Sequence, residues 1–352
     1  MNRSEFSNAR ILVVGGAGFV GSNLVREILQ QNPREIVIID NLLSSDATNI
    51  PSDKRVRFVF GSITDDRILA NLSEDLDYAF HLACYHGNQS SIADPFADHE
   101  NNTLTSLKLF DRLSGLKNLK KIVYAAAACA VAKKTYDAPS ATTEDQPVSL
   151  YHDSPYSVSK IIGELYGNYY SQRYQLPIVK ARFSNVYGPR EILGAGQWRG
   201  TVHTVWRNVT PTFIWRSLNG EALPLDNGGN TSRDFIYVQD MARGLMACAL
   251  KGEAGGVYNL ATGKETTILE LANIINEYTG NKTPLELIPA RDWDRSGKRF
   301  ASTEKAEREL GFNAQVDIKE GLHRTVEWTR ANAEIIRRSI AKHAKMMSQR
   351  AV

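Results

Sequence analysis

The chain has 352 residues, 42% of them hydrophobic and 23% charged, with a formal net charge of +3. That balance excludes disordered, collagen-like and membrane-spanning classes, and the length suits one large or two smaller cores. The charge is too small to argue for nucleic acid and suits a phosphate-bearing small ligand.

The first half alternates short apolar runs with longer amphipathic ones. Strands are predicted at Arg10–Val14, Ile36–Asp40, Arg57–Phe60, Tyr78–Ala83, Lys121–Tyr124 and Ile178–Arg182. Helices are predicted from Phe19 to about Gln30 and around Asn102–Leu113. Short apolar runs separated by helices are the mark of buried parallel strands, so the expected fold is α/β, a doubly wound parallel sheet of the Rossmann kind with a smaller mixed C-terminal substrate lobe. The expected divisions are residues 1–189 for dinucleotide binding, 190–330 for the lobe, with segments around 230–275 returning to the main body, and 331–352 for a basic helix and tail containing Arg337, Arg338, Lys342, Lys345 and Arg350. The tail reads as a solvated helix face.

Gly15, Gly18 and Gly21 stand directly between the first strand and the first helix. In such a loop the first glycine permits the turn, the second lets backbone approach a pyrophosphate, and the third brings the helix close to the sheet. The helix start offers free N–H groups to the phosphates, so Phe19 and Val20 join the cofactor set. Asp40 closes the second strand, where a carboxylate meets the ribose hydroxyls of an adenosine. Followed by Asn41 and Leu42 without a nearby Arg, it favours NAD over NADP.

Tyr156 and Lys160 lie four apart after Ser154-Pro155, a good N-cap and first helical residue, and so share a helix face. A phenol with a pKa near 10 needs about 4 kcal/mol of preferential phenolate stabilisation to fall by ~3 units. A neighbouring ammonium and a positive nicotinamide are suited to supply it. Tyr156 is then a base for a sugar or alcohol hydroxyl. Tyr278 and Lys282 repeat the spacing, but Gly280 marks a helix end between them. The three cysteines, Cys84, Cys129 and Cys248, have no metal spacing and read as buried thiols; no metal is expected. Trp198, Trp206, Phe213 and Trp215 are candidates to line a pocket, although packing is the commoner role of aromatic residues.

With these motifs located, residues 10–330 resemble the extended short-chain dehydrogenase/reductase family, the NAD-dependent nucleotide-sugar epimerases and dehydratases. The resemblance adds Ser62 and Ile63 on the adenine side, with Ser62 standing where the family usually has Asp. His81-Leu82-Ala83-Cys84 matches the strand whose backbone lines the cofactor. Asn101 matches an asparagine that bonds within the core near the nicotinamide ribose, and Phe183 a residue beside the nicotinamide. On the substrate side it implies His86, Ala127, Asn185 for the diphosphate, and Arg233 and Arg299 as phosphate-clamping arginines. His81 is expected to be a packed strand residue.

The pattern breaks at Ala125-Ala-Ala-Ala128, where the family usually carries a Ser or Thr that bonds the sugar hydroxyl; Cys129 or Tyr151-His-Asp153 are candidate substitutes. The Asp-Glu pair of the 4,6-dehydratases is also missing there. The resemblance therefore implies a UDP-hexose epimerase working through a 4-keto intermediate. The alternatives are a dehydrogenase or reductase, a dehydratase, or a non-catalytic NAD- and nucleotide-binding module. It further implies a homodimer built from helices at about 98–114 and 154–174. Without an apolar leader or a run of roughly 18 apolar residues, the expected compartment is the cytoplasm.

Overall fold

The structure, a computed structural model, describes residues 6–132, 135, 137–290 and 297–348. Arg350 of the basic tail lies outside them. Thirteen strands are found among the described residues: β1 (Arg10–Val14), β2 (Glu35–Asp40), β3 (Val56–Phe60), β4 (Tyr78–His81), β5 (Lys121–Ala127), β6 (Ile178–Phe183), β7 (Asn185–Tyr187), β8 (Pro224–Asp226), β9 (Ser232–Arg233), β10 (Phe235–Tyr237), β11 (Val257–Leu260), β12 (Thr266–Thr267) and β13 (Glu286–Ile288). Seven form one sheet in the order β11-β6-β5-β4-β1-β2-β3, every pairing parallel. The chain leaves β1 toward β2 and β3 on one side and returns on the other through β4. That reversal opens a crevice at the carboxyl ends of β1 and β4, the usual ligand position in such sheets.

The helices are α1 (Phe19–Leu29), α2 (Asp66–Ala70), α3 (Asn88–Ala93), α4 (Pro95–Asp98), α5 (Thr105–Ser114), α6 (Ala128–Val131), α7 (Pro155–Tyr174), α8 (Val209–Leu218), α9 (Val238–Lys251), α10 (Ile268–Thr279), α11 (Ile318–Ala331) and α12 (Ala333–Ala341), with a last turn at Ala344–Ser348. None is long and apolar enough to cross a membrane. The single helix expected around Asn102–Leu113 is instead α4, a π-helical turn at His99–Leu104 and α5 in succession.

Alternation along β1 shows why the sheet is covered on both faces. Ile11 and Val13 join the core under α1 and α9, while Leu12 and Val14 join the one under α5 and α7. Leu24, Val25 and Ile28 bring the apolar face of α1 into the first core, each worth about 1.5–3 kcal/mol of burial. A third cluster, with Phe213, Leu225, Leu271 and Leu322, joins α8, α10 and α11 into the smaller lobe. The segment Val257–Leu260 returns to the main sheet beside β6.

The C-terminal helix is more than a solvated face. Ile336 packs with Ile192, Leu193, Ala195 and Trp215, and the buried His343 ring reaches the Gly194 carbonyl at 3.0 Å. The end of the chain thereby braces the 192–199 loop, which no local pattern in the sequence signals.

Candidate active site

The carboxyl ends of β1, β2 and β4 open into a cavity of about 430 Å³. Its wall includes Gly15, Gly18, Phe19, Val20, Asp40, Asn41, Ser62, Ile63, Leu82, Ala83, Asn101, Ala127, Tyr156, Lys160 and Phe183, together with His86, Asn185, Arg233 and Arg299. Segments up to 284 residues apart in the chain, from Gly15 to Arg299, thus share one space. Leu42 is the exception: the wall passes from Asn41 to Leu43. Its backbone takes a left-handed φ of 54°, and its N–H bonds the Asp40 carboxylate at 2.9 Å.

The glycine loop suits a dinucleotide. Gly15 has φ +84°, and a Cβ there would lie 2.5 Å from the Ala83 nitrogen. A Cβ on Gly21 would lie 2.2 Å from the Gly15 carbonyl oxygen, so only glycine lets α1 sit this close. No side chain caps α1, which leaves its first N–H groups for a diphosphate. Asp40 accepts from Ala17 N–H (3.0 Å), Leu42 N–H and the Ser45 hydroxyl (2.9 Å), which fixes the carboxylate at the end of β2. Burial nonetheless pushes its carboxyl above the ordinary range against those bonds.

Asn101 borders the cavity, and its amide donates to the Ala97 carbonyl at the end of α4. The asparagine that bonds within the core is its neighbour Asn102, which holds Tyr85 N–H at 2.7 Å, Asp98 at 2.7 Å and Ser159 at 3.3 Å. Adjacent helix positions point about 100° apart, so Asn101 faces the cavity and Asn102 the core.

Ser154 caps α7 by accepting from Ser157 N–H, and Pro155 is its first residue. Tyr156 and Lys160 follow one turn apart, with the ammonium 5.9 Å from the Tyr156 ring centre. Lys160 is buried and donates to the Ala125 carbonyl at 2.9 Å. The protein by itself does not lower the phenol as the spacing suggested. Burial pushes Tyr156 well above its usual value, and the thiols of Cys84 and Cys129 push the same way. Burial works against the Lys160 ammonium, yet Cys84, Tyr124 and Asp98 outweigh it and hold its proton more tightly than usual. Lys160 therefore remains a cation beside the phenol.

Ala125–Ala128 are all buried and bring no side-chain oxygen of their own to this wall. Cys129 reaches the cavity wall, and so does Cys84, whose place beside the phenol the sequence did not suggest. Tyr151–Asp153 do not reach this cavity: Tyr151 is exposed, and His152 and Asp153 border a surface hollow on the far side of α7. His86 meets the Tyr156 ring edge-on at 5.8 Å, and burial with Arg199, Arg207 and Lys160 nearby holds its imidazole neutral, at about 3. His81 is a packed strand residue bonded to Ser106 at 3.1 Å. Arg233 donates to the Ser232 and Gly297 carbonyls, while the buried Nη1 of Arg299 has no hydrogen-bond partner among the described residues. Trp198, Trp206, Phe213 and Trp215 are not in the wall; Phe213 and Trp215 are core residues, Trp206 packs beside Trp215, and Trp198 leans on His343. Arg190, Glu191, His203, Arg207 and Asn208 are wall residues that sequence reasoning missed, because the loop carrying them has no local periodicity.

A parallel sheet with a glycine loop at its switch point, facing a Tyr/Lys pair on one helix turn, defines a dinucleotide-dependent enzyme. The NAD dependent epimerase/dehydratase family model matches residues 11–261. A UDP-glucose 4-epimerase of Mycolicibacterium smegmatis is 31% identical over 92% of this chain and 100% of its own. The crystal structure of the Bordetella bronchiseptica enzyme WbmF in complex with NAD+ and UDP is 56% identical, covers 98% of this chain and 99% of that one, and superposes with a TM-score of 0.89. A UDP-N-acetylglucosamine 4-epimerase from Methanobrevibacter ruminantium, solved with UDP-N-acetylmuramic acid, is 29% identical over 93% of this chain and 99% of that one, with a TM-score of 0.81. The chain belongs to the NAD dependent epimerase/dehydratase family and is an NAD-dependent enzyme.

Proposed function

We propose that the protein is a nucleoside-diphosphate-hexose 4-epimerase, with UDP as the nucleotide, acting through a 4-keto sugar. The carrying observation is the Tyr156/Lys160 pair opening onto the same cavity as the glycine loop and Asn185, Arg233 and Arg299. Bound NAD supplies a hydride acceptor at the nicotinamide end. Tyr156 takes the proton of the sugar C4 hydroxyl as the C4 hydrogen departs, and the buried Lys160 charge favours the phenolate. Asn185, Arg233 and Arg299 hold the diphosphate, Arg299 with an otherwise unused buried donor. Return of hydrogen to the opposite face of the keto sugar gives the C4 epimer and regenerates both groups. Asp40 and the α1 amino terminus keep the dinucleotide in place between the two half-reactions.

The loop at Ala125–Ala128 offers no acid or base beyond the phenol, which favours epimerisation over elimination of water. NMR of UDP-glucose and UDP-galactose mixtures, followed with NADH absorbance, tests the reading. Interconversion without net NADH, lost in Tyr156→Phe while NAD stays bound, is the expected result. Stoichiometric NADH, a dehydrated product, or full turnover by Tyr156→Phe overturns it. The same reading includes a homodimer. Phe96 on α4 and Val158, Leu165 and Tyr169 on α7 leave a run of exposed apolar side chains, 84%, 42%, 59% and 51% accessible, that a second copy would cover. A monomer mass by light scattering at micromolar concentration would refute that part.

A further inference from the structure

On the Asp40 side of the cavity, stretches far apart in the chain are joined in layers. The inner layer is the glycine loop and the segment after β2, which bring Gly15, Gly18, Asn41, Ser44 and Asn49 to the wall. Against it lies the stretch 189–207, which follows β7 and adds Arg190, Glu191, Ile192, Ala195 and Arg207 to the same wall. Gln197 N–H donates to the Leu43 carbonyl at 2.9 Å. Arg207 places Nη1 on the Ser44 carbonyl at 2.8 Å and Nη2 on the Ala195 carbonyl at 2.7 Å. The buried Asn49 amide donates to the Ala17 and Arg190 carbonyls, at 3.3 and 3.2 Å, and so ties the glycine loop to the same stretch. Gly196 has φ +87°, and a Cβ there would lie 2.2 Å from the Leu43 carbonyl oxygen, so backbone meets backbone at this joint.

The stretch 189–207 contains one short helical turn, Val202–Thr204, and no strand. Its own backbone bonds give it little rigidity, and its support comes from outside. The outer layer is α12 and the residues just after it. Ile336 packs on Ile192, Leu193 and Ala195, and the buried His343 ring donates from Nε2 to the Gly194 carbonyl at 3.0 Å. Gly194 has φ +69°, and a Cβ there would lie 2.5 Å from the Ser339 carbonyl oxygen, so the helix backbone presses directly on the stretch. Charge joins the outer layer to the inner one as well. Burial works against the Asp46 carboxylate, but its bonds from Thr48 and the nearby Arg338 and Lys342 outweigh it.

Lifting 189–207 off the cofactor segments therefore means breaking its contacts with α12 too. A ligand kept behind such contacts leaves at the rate at which they open.

We propose that α12 and the stretch 189–207 form a clasp over the Asp40 side of the cofactor site, and that the grip of α12 on this stretch sets how fast NAD leaves. His343, Arg338 and Lys342 are positioning residues in it. The proposal concerns cofactor release and stands whichever reaction follows at the sugar end.

The test mixes the NADH-loaded, full-length protein with excess NAD and follows release by NADH fluorescence. His343→Leu removes the bond to Gly194 and should release NADH about fivefold faster, equivalent to roughly 1 kcal/mol. His343→Gln, whose amide can still donate to that carbonyl, should stay within about twofold of the parent. Arg338→Gln with Lys342→Gln, both exposed, should speed release about threefold at low salt, with the difference gone at high salt. Unchanged release in both His343→Leu and the charge variant overturns the proposal. A lower unfolding temperature of the NAD-free variants without faster release marks a merely structural role and overturns it as well. Equal acceleration by Leu and Gln overturns the part given to the His343 bond. If His343→Leu does not fold, the charge variant and its salt dependence decide alone.

Discussion

Replacing Lys160 by Met removes a buried charge from beside the reacting phenol while keeping a side chain of similar length. The ammonium lies 5.9 Å from the Tyr156 ring centre. At that separation and an effective dielectric of about 20, a phenolate gains roughly 2.8 kcal/mol from the cation. That corresponds to about 2 pKa units, so the acidic limb of the rate profile should move up by about that much. Near neutral pH the variant should lose about a hundredfold in kcat and recover part of it as the pH is raised. Stability should change little, because the lost bond to the Ala125 carbonyl is offset by relief of a desolvated charge. The assay is the pH dependence of kcat for epimer formation, with bound NAD measured on the same samples. An unmoved acidic limb, with kcat within threefold of the parent and NAD retained, would refute the electrostatic role of Lys160.

Gly21→Ala places a Cβ 2.2 Å from the Gly15 oxygen and 2.8 Å from the Gly16 Cα, both backbone atoms. The first turn of α1 must lift away at a cost of about 1–3 kcal/mol or more, and the purified variant should carry little NAD; a full complement after gel filtration contradicts this. Burial pushes the Glu191 carboxyl up to about 7 from an ordinary value of 4.5. The folded chain thus holds this proton more tightly than the unfolded chain, and stability from it is present below about pH 4.5 and lost as pH rises through 7. Glu191→Gln should therefore raise the melting temperature at about pH 8, by the equivalent of roughly 3 kcal/mol, with the gain shrinking toward about pH 4.5. A gain of equal size at both pH values would show that ionisation is not its source.

The first forty residues and the Tyr156/Lys160 pair are legible in sequence because their meaning is local. A glycine loop between a strand and a helix, or two side chains one helical turn apart, has its geometry set by backbone periodicity. The parallel strands were readable for the same reason, since burial on both faces leaves near-continuous apolar runs. Tertiary structure decided what those local units meet. Asn101 and Asn102 are equivalent by composition, and only packing turns one toward the cavity and the other into a buried bonding network. The break at Ala125–Ala128 marked a missing hydroxyl, but only the folded chain shows that Cys84, from the loop after β4, comes to stand beside the phenol. Arg199, Arg207 and Glu191 come from a loop without periodicity, and the C-terminal His343 braces that loop from about 150 residues away. An unused donor and a clasp between distant segments are properties of a shared volume. A linear sequence does not contain that volume until the sheet, the loop and the last helix enclose it.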